Sequence, residues 1–384
     1  MQLNCRKENR KLFSFVLYYS RYTIQDIRFK QTLLSLGGER MVSFLCDYSE
    51  GAHPRILDAL IRTNLEQTDG YGLDDHCRNA ASLIRKKIGR EDVDVHFLVG
   101  GTQTNFTAIS AFLRAHEAVV SAKTGHIFVH EAGAVEATGH KVIVEATEDG
   151  KLTPGEIRAV LDYHEDEHMV KPKLVYISNS TEIGSIYHKS ELTALSVFCR
   201  ENNLILFMDG ARLGSALASE ENDLTLSDLA ELTDAFYIGG TKNGALMGEA
   251  LVICREDLKE DFRYHIKQKG GLLAKGRLLG IQFEELFRDN LYFELADHAN
   301  QMAALLTKSF RDLGYSFLTH SPSNQIFPIL PNELIRKLEE EYSFYLWKKV
   351  DEDRSSIRLV TSWATKVSDI ETFIGRLNQY HRNL

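Results

Sequence analysis

Three places in this 384-residue sequence put a charged or donor-rich segment directly after an apolar run. The run 204–208 ends in Asp209-Gly210-Ala211-Arg212. A carboxylate that follows five apolar residues is costly unless a cation or strong donor meets it, and Arg212 or a helix N-terminus is the plain candidate for that partner. The run 235–238 ends in Gly239-Gly240-Thr241-Lys242-Asn243-Gly244. A lysine flanked by glycines beyond an apolar strand can be desolvated, its pKa lowered, and its amine made nucleophilic toward an aldehyde; an ordinary solvated lysine is the alternative. The run 97–99 passes through Gly100-Gly101-Thr102-Gln103-Thr104-Asn105 straight into a helical stretch, which supplies free N–H groups and hydroxyls of the kind that cradle a phosphate. The spacing is not that of a Walker A loop, and Gly70-Tyr71-Gly72 lacks the third glycine of a dinucleotide fingerprint.

The three features complement one another. Pyridoxal phosphate needs a lysine for its aldehyde, an acid for its ring nitrogen, and N–H and hydroxyl donors for its phosphate. Asp209 precedes Lys242 by 33 residues, room for a helix and one further strand, so both can face one crevice.

The sequence resembles the low-specificity threonine aldolases, within the β-eliminating lyase group of fold type I (aspartate-aminotransferase-like) enzymes, from about residue 42 to 380. The motifs run in order: Asp69-Gly70-Tyr71-Gly72, Gly101-Thr102-Gln103, His126 with Glu131-Ala132-Gly133-Ala134, Asp209-Gly210-Ala211-Arg212, Thr241-Lys242, and Ile357-Arg358-Leu359-Val360-Thr361. The resemblance implies that Lys242 binds the cofactor aldehyde with Thr241 beside it, that Asp209 meets the pyridinium nitrogen, and that Gly101 and Thr102 hold the phosphate. It gives His126 to stacking on the ring and to proton transfer, and Arg212 with Arg358 to the substrate carboxylate. Tyr71 lies in the segment expected to reach a neighbouring subunit of a homo-oligomer, dimer or tetramer. Imidazole titrates near neutrality, so His126 suits the base that takes a hydroxyl proton, with His130 and His140 as competitors. Departures from the family pattern are Cys46-Asp47 in place of serine-aspartate, which puts a thiol where a carboxylate-binding hydroxyl is expected, Ser178-Asn179-Ser180-Thr181, and Gly270 to Lys275, where Lys275 or Arg277 would stand in for a missing arginine.

The elements that must position these residues read as α/β. Short β-branched or aromatic runs at 93–99, 127–129, 142–144, 174–178, 204–208, 235–238 and 251–254 alternate with helical stretches at 104–118, 154–164 and 189–202, which implies a mostly parallel sheet with ligands at the carboxyl ends of its strands. A long helix at 290–313, runs at 315–318, 326–330 and 357–361 and a helix from 368 suggest a smaller α+β C-terminal domain. The expected division is 1–40 as a basic leader, 41–285 as the cofactor-binding domain, and 286–384 as the small domain. Eight Lys/Arg against three acids give the leader a charge of +5, leaving −14 of the total −9 for the rest. It reads as an extension ahead of Met41 or a poorly ordered tail, with a targeting or docking segment as the alternative.

A net charge of −9 with no long basic run argues against a nucleic-acid partner, and no apolar stretch approaches the length of a membrane span. Five scattered cysteines without a C-x-x-C pair suit a reducing, cytoplasmic setting and no structural zinc, and His130-Glu131 lacks the second histidine of H-E-x-x-H. The reading is a pyridoxal-phosphate enzyme that cleaves threonine or a related β-hydroxy amino acid to glycine and an aldehyde. A β-eliminating lyase or aminotransferase, or a non-catalytic cofactor-binding protein, are the alternatives.

Overall fold

The computed structural model describes residues 41–383; the leader expectation for 1–40 lies outside them. Strands are numbered in chain order: β1 (Val42–Ser43), β2 (Asp94–Leu98), β3 (Glu117–Ala122), β4 (Val142–Glu145), β5 (Lys171–Ser178), β6 (Ile205–Asp209), β7 (Ala235–Gly239), β8 (Glu249–Ile253), β9 (Gln325–Ile326), β10 (Ile329–Pro331), β11 (Tyr342–Ser343), β12 (Tyr345–Lys349) and β13 (Arg354–Val360). Seven of them form the main sheet in the order β2-β8-β7-β6-β5-β3-β4. Its pairs are parallel except the two made by β8. Because β8 is antiparallel to both neighbours, β2 again points the same way as β7, and the carboxyl ends of β2, β3, β5, β6 and β7 share one edge.

Both faces of this sheet are covered, so its strands read as unbroken apolar runs. The side chains nevertheless alternate with the pleat. Val175, Ile177, Leu206, Met208, Phe236 and Ile238 enter one core, while Leu174, Tyr176, Ile205, Phe207, Ala235 and Tyr237 enter the other. Two helices that cover the sheet begin as their sequences suggest. Thr153 caps Pro154–Tyr163 in a reciprocal box with Glu156, and the His188 N–H donates to Glu191 at 2.8 Å ahead of Lys189–Glu201.

The chain departs from expectation around β3. The helix expected over 104–118 is Gly101–Phe112, and it stops where Leu113 turns to an extended backbone. Residues 117–122 then form a fully buried strand. Its sequence, Glu-Ala-Val-Val-Ser-Ala, has no bulky run to announce it. The strand expected over 127–129 is instead a helical turn, His126–Val129, in which Ile127 is buried while Phe128 and Val129 are 45% and 50% exposed. Three apolar residues are too few to fix a period.

The C-terminal elements form a smaller α+β part with a third core around Leu306, Phe310, Leu334, Ile357 and Phe373. The run at 315–318 makes only an isolated bridge, Phe317 to Pro328, and the run at 326–330 is split into β9 and β10 at Pro328, which has no N–H for a ladder. Helix Leu291–Asp312, about 33 Å long at 1.5 Å per residue, starts in the first core with Tyr292 and Leu295 and ends in the third with Leu306 and Phe310. Residues 42–44 join the same small part: β1 pairs with β11 and Phe44 is buried in the third core. Among the described residues no helix is long and apolar enough to cross a membrane.

Candidate active site

Each strand of the shared edge delivers one polar group. Asp209 is the last residue of β6, buried at 4% exposure. The chain must turn there at Gly210, where any Cβ would lie 1.7 Å from the Tyr237 carbonyl oxygen. Oδ1 of Asp209 accepts the Ala211 N–H at 2.9 Å, and Oδ2 accepts the Asn105 amide at 3.1 Å and the Tyr176 hydroxyl. Burial pushes this carboxyl up, but the His126 imidazole and the hydroxyls of Tyr176 and Tyr237 outweigh it and hold its pKa below the ordinary value. No cation lies within ion-pair distance among the described residues. Arg212, the plain candidate, faces elsewhere: Nε and Nη2 donate to Asp47 at 2.7 and 3.1 Å, a bidentate pair that Asn324 supports with a 2.9 Å bond.

Lys242 follows β7 by three residues. Burial, and then the positive charge of Arg212, lower the pKa of its amine. The residues just before it are held by Glu249, whose carboxylate accepts the Gly240 N–H at 3.0 Å and the Thr241 hydroxyl at 2.9 Å. Burial pushes the Glu249 carboxyl up to about 8.

Gly101 and Thr102 open helix Gly101–Phe112, whose cap residue Gly100 offers no side-chain acceptor. The first-turn N–H groups have no intrahelical partner and point out of the helix end. A Cβ at Gly101 would meet the Tyr237 hydroxyl at 3.1 Å, so the cradle opens beside one of the hydroxyls that hold Asp209. His126 comes four residues after β3, with its N–H held by Glu182 at 2.9 Å and its Nδ1 2.8 Å from Glu131 Oε1. His130 stacks obliquely on it, with centroids 5.4 Å apart. His140 is buried away from them, bonded to the Glu117 carbonyl.

Arg358 projects from β13, which lies between β10 and β12 and is not an edge strand. The acid Asp351 pairs with Arg354 instead. Its guanidinium sits 4.9 and 5.0 Å from the ring centroids of Tyr345 and Trp347, and Nη2 reaches the Leu45 carbonyl at 3.3 Å. Among the described residues its Nε is buried without an acceptor and no carboxylate lies within ion-pair distance of it. Burial and the nearby Arg212 charge lower its pKa.

The structure thus brings Lys242, Asp209, His126, Gly101, Thr102, Thr241, Arg212 and Arg358 to one edge. Cys46 sits beside this group with its thiol 3.2 Å from the Ser49 hydroxyl. Tyr71 is elsewhere: it is 45% exposed, packs its ring under Lys267 at 4.5 Å and lines a separate hollow of about 320 Å³. Arg277 caps the backbone carbonyls of Thr63, Asn64 and Glu66, so it cannot also serve the crevice, and Lys275 is exposed.

Sequence reasoning passed over Asp47, Asn105, Glu131, Glu182 and Glu249 as working residues. Glu249 carries the signal that revealed Asp209, a carboxylate against an apolar run, here at the start of a strand. Asn105 and Glu131 had no such signal, since their partners lie 104 and 26 residues away from Asn105.

The donor set fits pyridoxal phosphate. A depressed lysine amine, a buried carboxylate hydrogen-bonded by neutral donors, and a helix N-terminus open together are the groups that aldehyde, ring nitrogen and phosphate require. Comparisons with known proteins agree. The beta-eliminating lyase family profile matches residues 44–331. A low specificity L-threonine aldolase of Pseudomonas aeruginosa is 33% identical over 85% of this chain and 94% of its own length. A solved threonine aldolase of Leishmania major superposes with a TM-score of 0.88 at 50% identity, covering 88% of this chain and 99% of that one. Aspartate aminotransferase of Thermus thermophilus, 16% identical with a TM-score of 0.69 over 95% of this chain and 97% of that one, shares the fold.

Proposed function

The chain belongs to the beta-eliminating lyase family, and from that premise we propose that it is a pyridoxal-phosphate-dependent aldolase cleaving L-threonine or a related β-hydroxy-α-amino acid to glycine and an aldehyde. The observation that carries the reading is the buried Asp209 carboxylate, ionised among hydroxyl, amide and backbone donors with no cation within ion-pair distance among the described residues, on the edge that also presents Lys242. The threonine aldolase relatives support the choice of substrate.

Bound between these groups, the cofactor supplies an electron sink for cleavage of a bond at the substrate Cα. Lys242 anchors it through an amine that burial keeps ready to react. Asp209 holds the ring nitrogen protonated, and the N–H groups of Gly101 and Thr102 with the Thr102 hydroxyl hold the phosphate. Arg358 takes the substrate carboxylate: its guanidinium lies over two rings and, among the described residues, has no acid within ion-pair distance. Arg212 has its Nε and Nη2 edge committed to Asp47 and contributes charge and its remaining Nη1. His126 takes the substrate's hydroxyl proton.

Two further points complete the proposal. The exposed apolar side chains of Tyr71, Leu73, Leu246, Met247 and Leu278 support a homo-oligomer in which the Tyr71 segment meets a second copy. Free thiols at Cys46, Cys77, Cys199 and Cys254 support a reducing, cytoplasmic setting. Incubating the purified protein with pyridoxal phosphate and a panel of β-hydroxy amino acids tests the activity. Glycine plus aldehyde supports it; pyruvate plus ammonia, or a keto acid formed with an amino acceptor, would replace it with lyase or aminotransferase chemistry.

A further inference from the structure

Behind His126 lies a buried polar chain that the reaction as described does not use. Glu131, with a side chain fully shielded from solvent, places one oxygen, Oε1, 2.8 Å from His126 Nδ1 and 2.8 Å from the Asn105 amide nitrogen. The same Asn105 nitrogen donates its other hydrogen to Asp209 Oδ2 at 3.1 Å. Asn105 is itself completely buried, and among the described residues its own oxygen and the second oxygen of Glu131 have no hydrogen-bond partner. One amide therefore fixes the spacing between the carboxylate under the ring nitrogen and the carboxylate behind the histidine.

We propose that Glu131, tied through Asn105 to Asp209, is the positioning residue that sets the tautomer of His126, keeping the proton on Nδ1 so that Nε2 presents its lone pair to the substrate hydroxyl. The opposite tautomer would set the Nδ1 lone pair against a carboxylate oxygen at 2.8 Å, two acceptors with no hydrogen between them. The imidazole side chain is about a third exposed, so Nε2 has a route into the crevice while Nδ1 is spoken for. The main-chain N–H of the same residue is held separately by Glu182, which leaves the ring orientation to Glu131.

The proton count closes. The substrate O–H bond breaks, its hydrogen forms a bond to Nε2, and the ring becomes an imidazolium whose Nδ1–H still faces the Glu131 carboxylate, which stays charged throughout. The oxygen pair then forms the aldehyde C=O as the Cα–Cβ bond breaks, and the pair left on Cα passes to the electron sink that the cofactor supplies. Return of the Nε2 proton to the glycine Cα, directly or through solvent, restores the neutral imidazole. Groups facing His126 are Glu131 on its own loop, Glu182 after β5, Asp209 at the end of β6, and the neighbouring His130, which in turn feels Arg358, Lys242 and Arg212. Of these, only Glu131 touches the ring nitrogen.

The inference rests on the aldolase reading, and its test separates the two. In holoenzyme labelled with 15N-histidine, with His126→Phe identifying the signal, the wild type should show His126 as the Nδ1–H tautomer; an Nε2–H tautomer overturns the proposal whatever the enzyme's activity. Glu131→Gln should leave the bound cofactor's absorbance in place and mix the tautomers. It should also lower kcat for threonine by at least about tenfold with KM changed less than about twofold. Glu131→Asp, which keeps a carboxylate acceptor, should restore the single tautomer and most of the kcat. An unmixed tautomer together with an unchanged kcat in Glu131→Gln would reduce Glu131 to packing. Absence of glycine and aldehyde in the wild type would sink the aldolase reading and leave the NMR result to decide the tautomer.

Discussion

The two sides of the crevice are built on opposite plans. On the side of the main sheet, Asp209, Asn105, Glu131 and His126 form one hydrogen-bonded chain, Thr241 and Glu249 form a second pair, and the strands behind them are buried on both faces. On the side of the small domain, Arg358 is a desolvated cation held by ring faces and one carbonyl, with no acid within ion-pair distance among the described residues. A group that stays bound for the life of the protein is met by donors already in place, which cost no reorganisation. A substrate that comes and goes is met by a charge whose best partner it brings itself, since a carboxylate within reach of Arg358 would compete with every substrate molecule. Arg212 shows what that competition does: Asp47 occupies one edge of its fork.

The difference predicts where substitutions will register. The largest effect belongs to Lys242→Ala, which should abolish the visible absorbance of the protein-bound cofactor and all borohydride trapping, because only a primary amine can make that linkage. Trapping at another lysine with Lys242 unmodified would break the assignment. Next comes Asp209→Ala. The pyridine nitrogen loses the anion that keeps it protonated, so turnover should fall by roughly a hundredfold or more, in the range seen when one preorganised electrostatic contact is removed, while the cofactor stays bound through Lys242. A rate within a factor of three of the parent would remove Asp209 from the chemistry.

How far the sequence carried these assignments follows the same division. Asp209, Lys242 and the Gly101-Thr102 turn were legible because strands buried on both faces are continuous apolar runs, and whatever ends such a run must face the sheet's edge. β3 was not legible, because its apolar core is only two valines among alanine, serine and glutamate, and with it went the physical reason for choosing His126 over His130 and His140, a choice that came from family likeness. The small domain was harder still. β12, Tyr-Leu-Trp-Lys-Lys, is largely exposed and reads as neither alternating nor apolar, yet it supplies the two rings that clamp Arg358. Contacts such as Asn105 to Asp209 and Asn324 to Asp47 join residues 104 and 277 positions apart and leave no local pattern.

A sharper probe of the open side is Arg358→Leu. Its loss removes a charge-assisted hydrogen bond of about 1.5–3 kcal/mol, so kcat/KM for threonine should drop at least about tenfold with the cofactor spectrum unchanged. The carboxylate-free analogue 1-amino-2-propanol should bind parent and variant about equally. Full kcat/KM in the variant would mean that the carboxylate is held elsewhere and that the two sides do not differ in the way described.

The smallest effect is expected at Glu249, the member of the bonded side whose hydrogen bonds are complete while its charge is not welcome. Its carboxyl is raised to about 8, chiefly by burial, with the Thr241 hydroxyl and the Lys242 charge pulling the other way. A carboxyl raised in the folded state stabilises the fold below its unfolded value, near 4.5, and that contribution is lost as pH climbs through the folded one. The unfolded chain ionises freely above its own pKa, whereas the folded protein must hold the proton or bury the charge. Glu249→Gln carries no such titration. In the cofactor-free protein its Tm relative to the parent should therefore rise from pH 5 to pH 9, by a few degrees for a free-energy change on the order of 1–3 kcal/mol. The absolute offset is set by the acceptor that glutamine lacks, because Gly240 and Thr241 each donate to a separate oxygen of Glu249, so the slope with pH and not the offset is the measurement. Parallel Tm curves for the two proteins would show that Glu249 titrates normally and that the bonded side is as settled in charge as it is in hydrogen bonds.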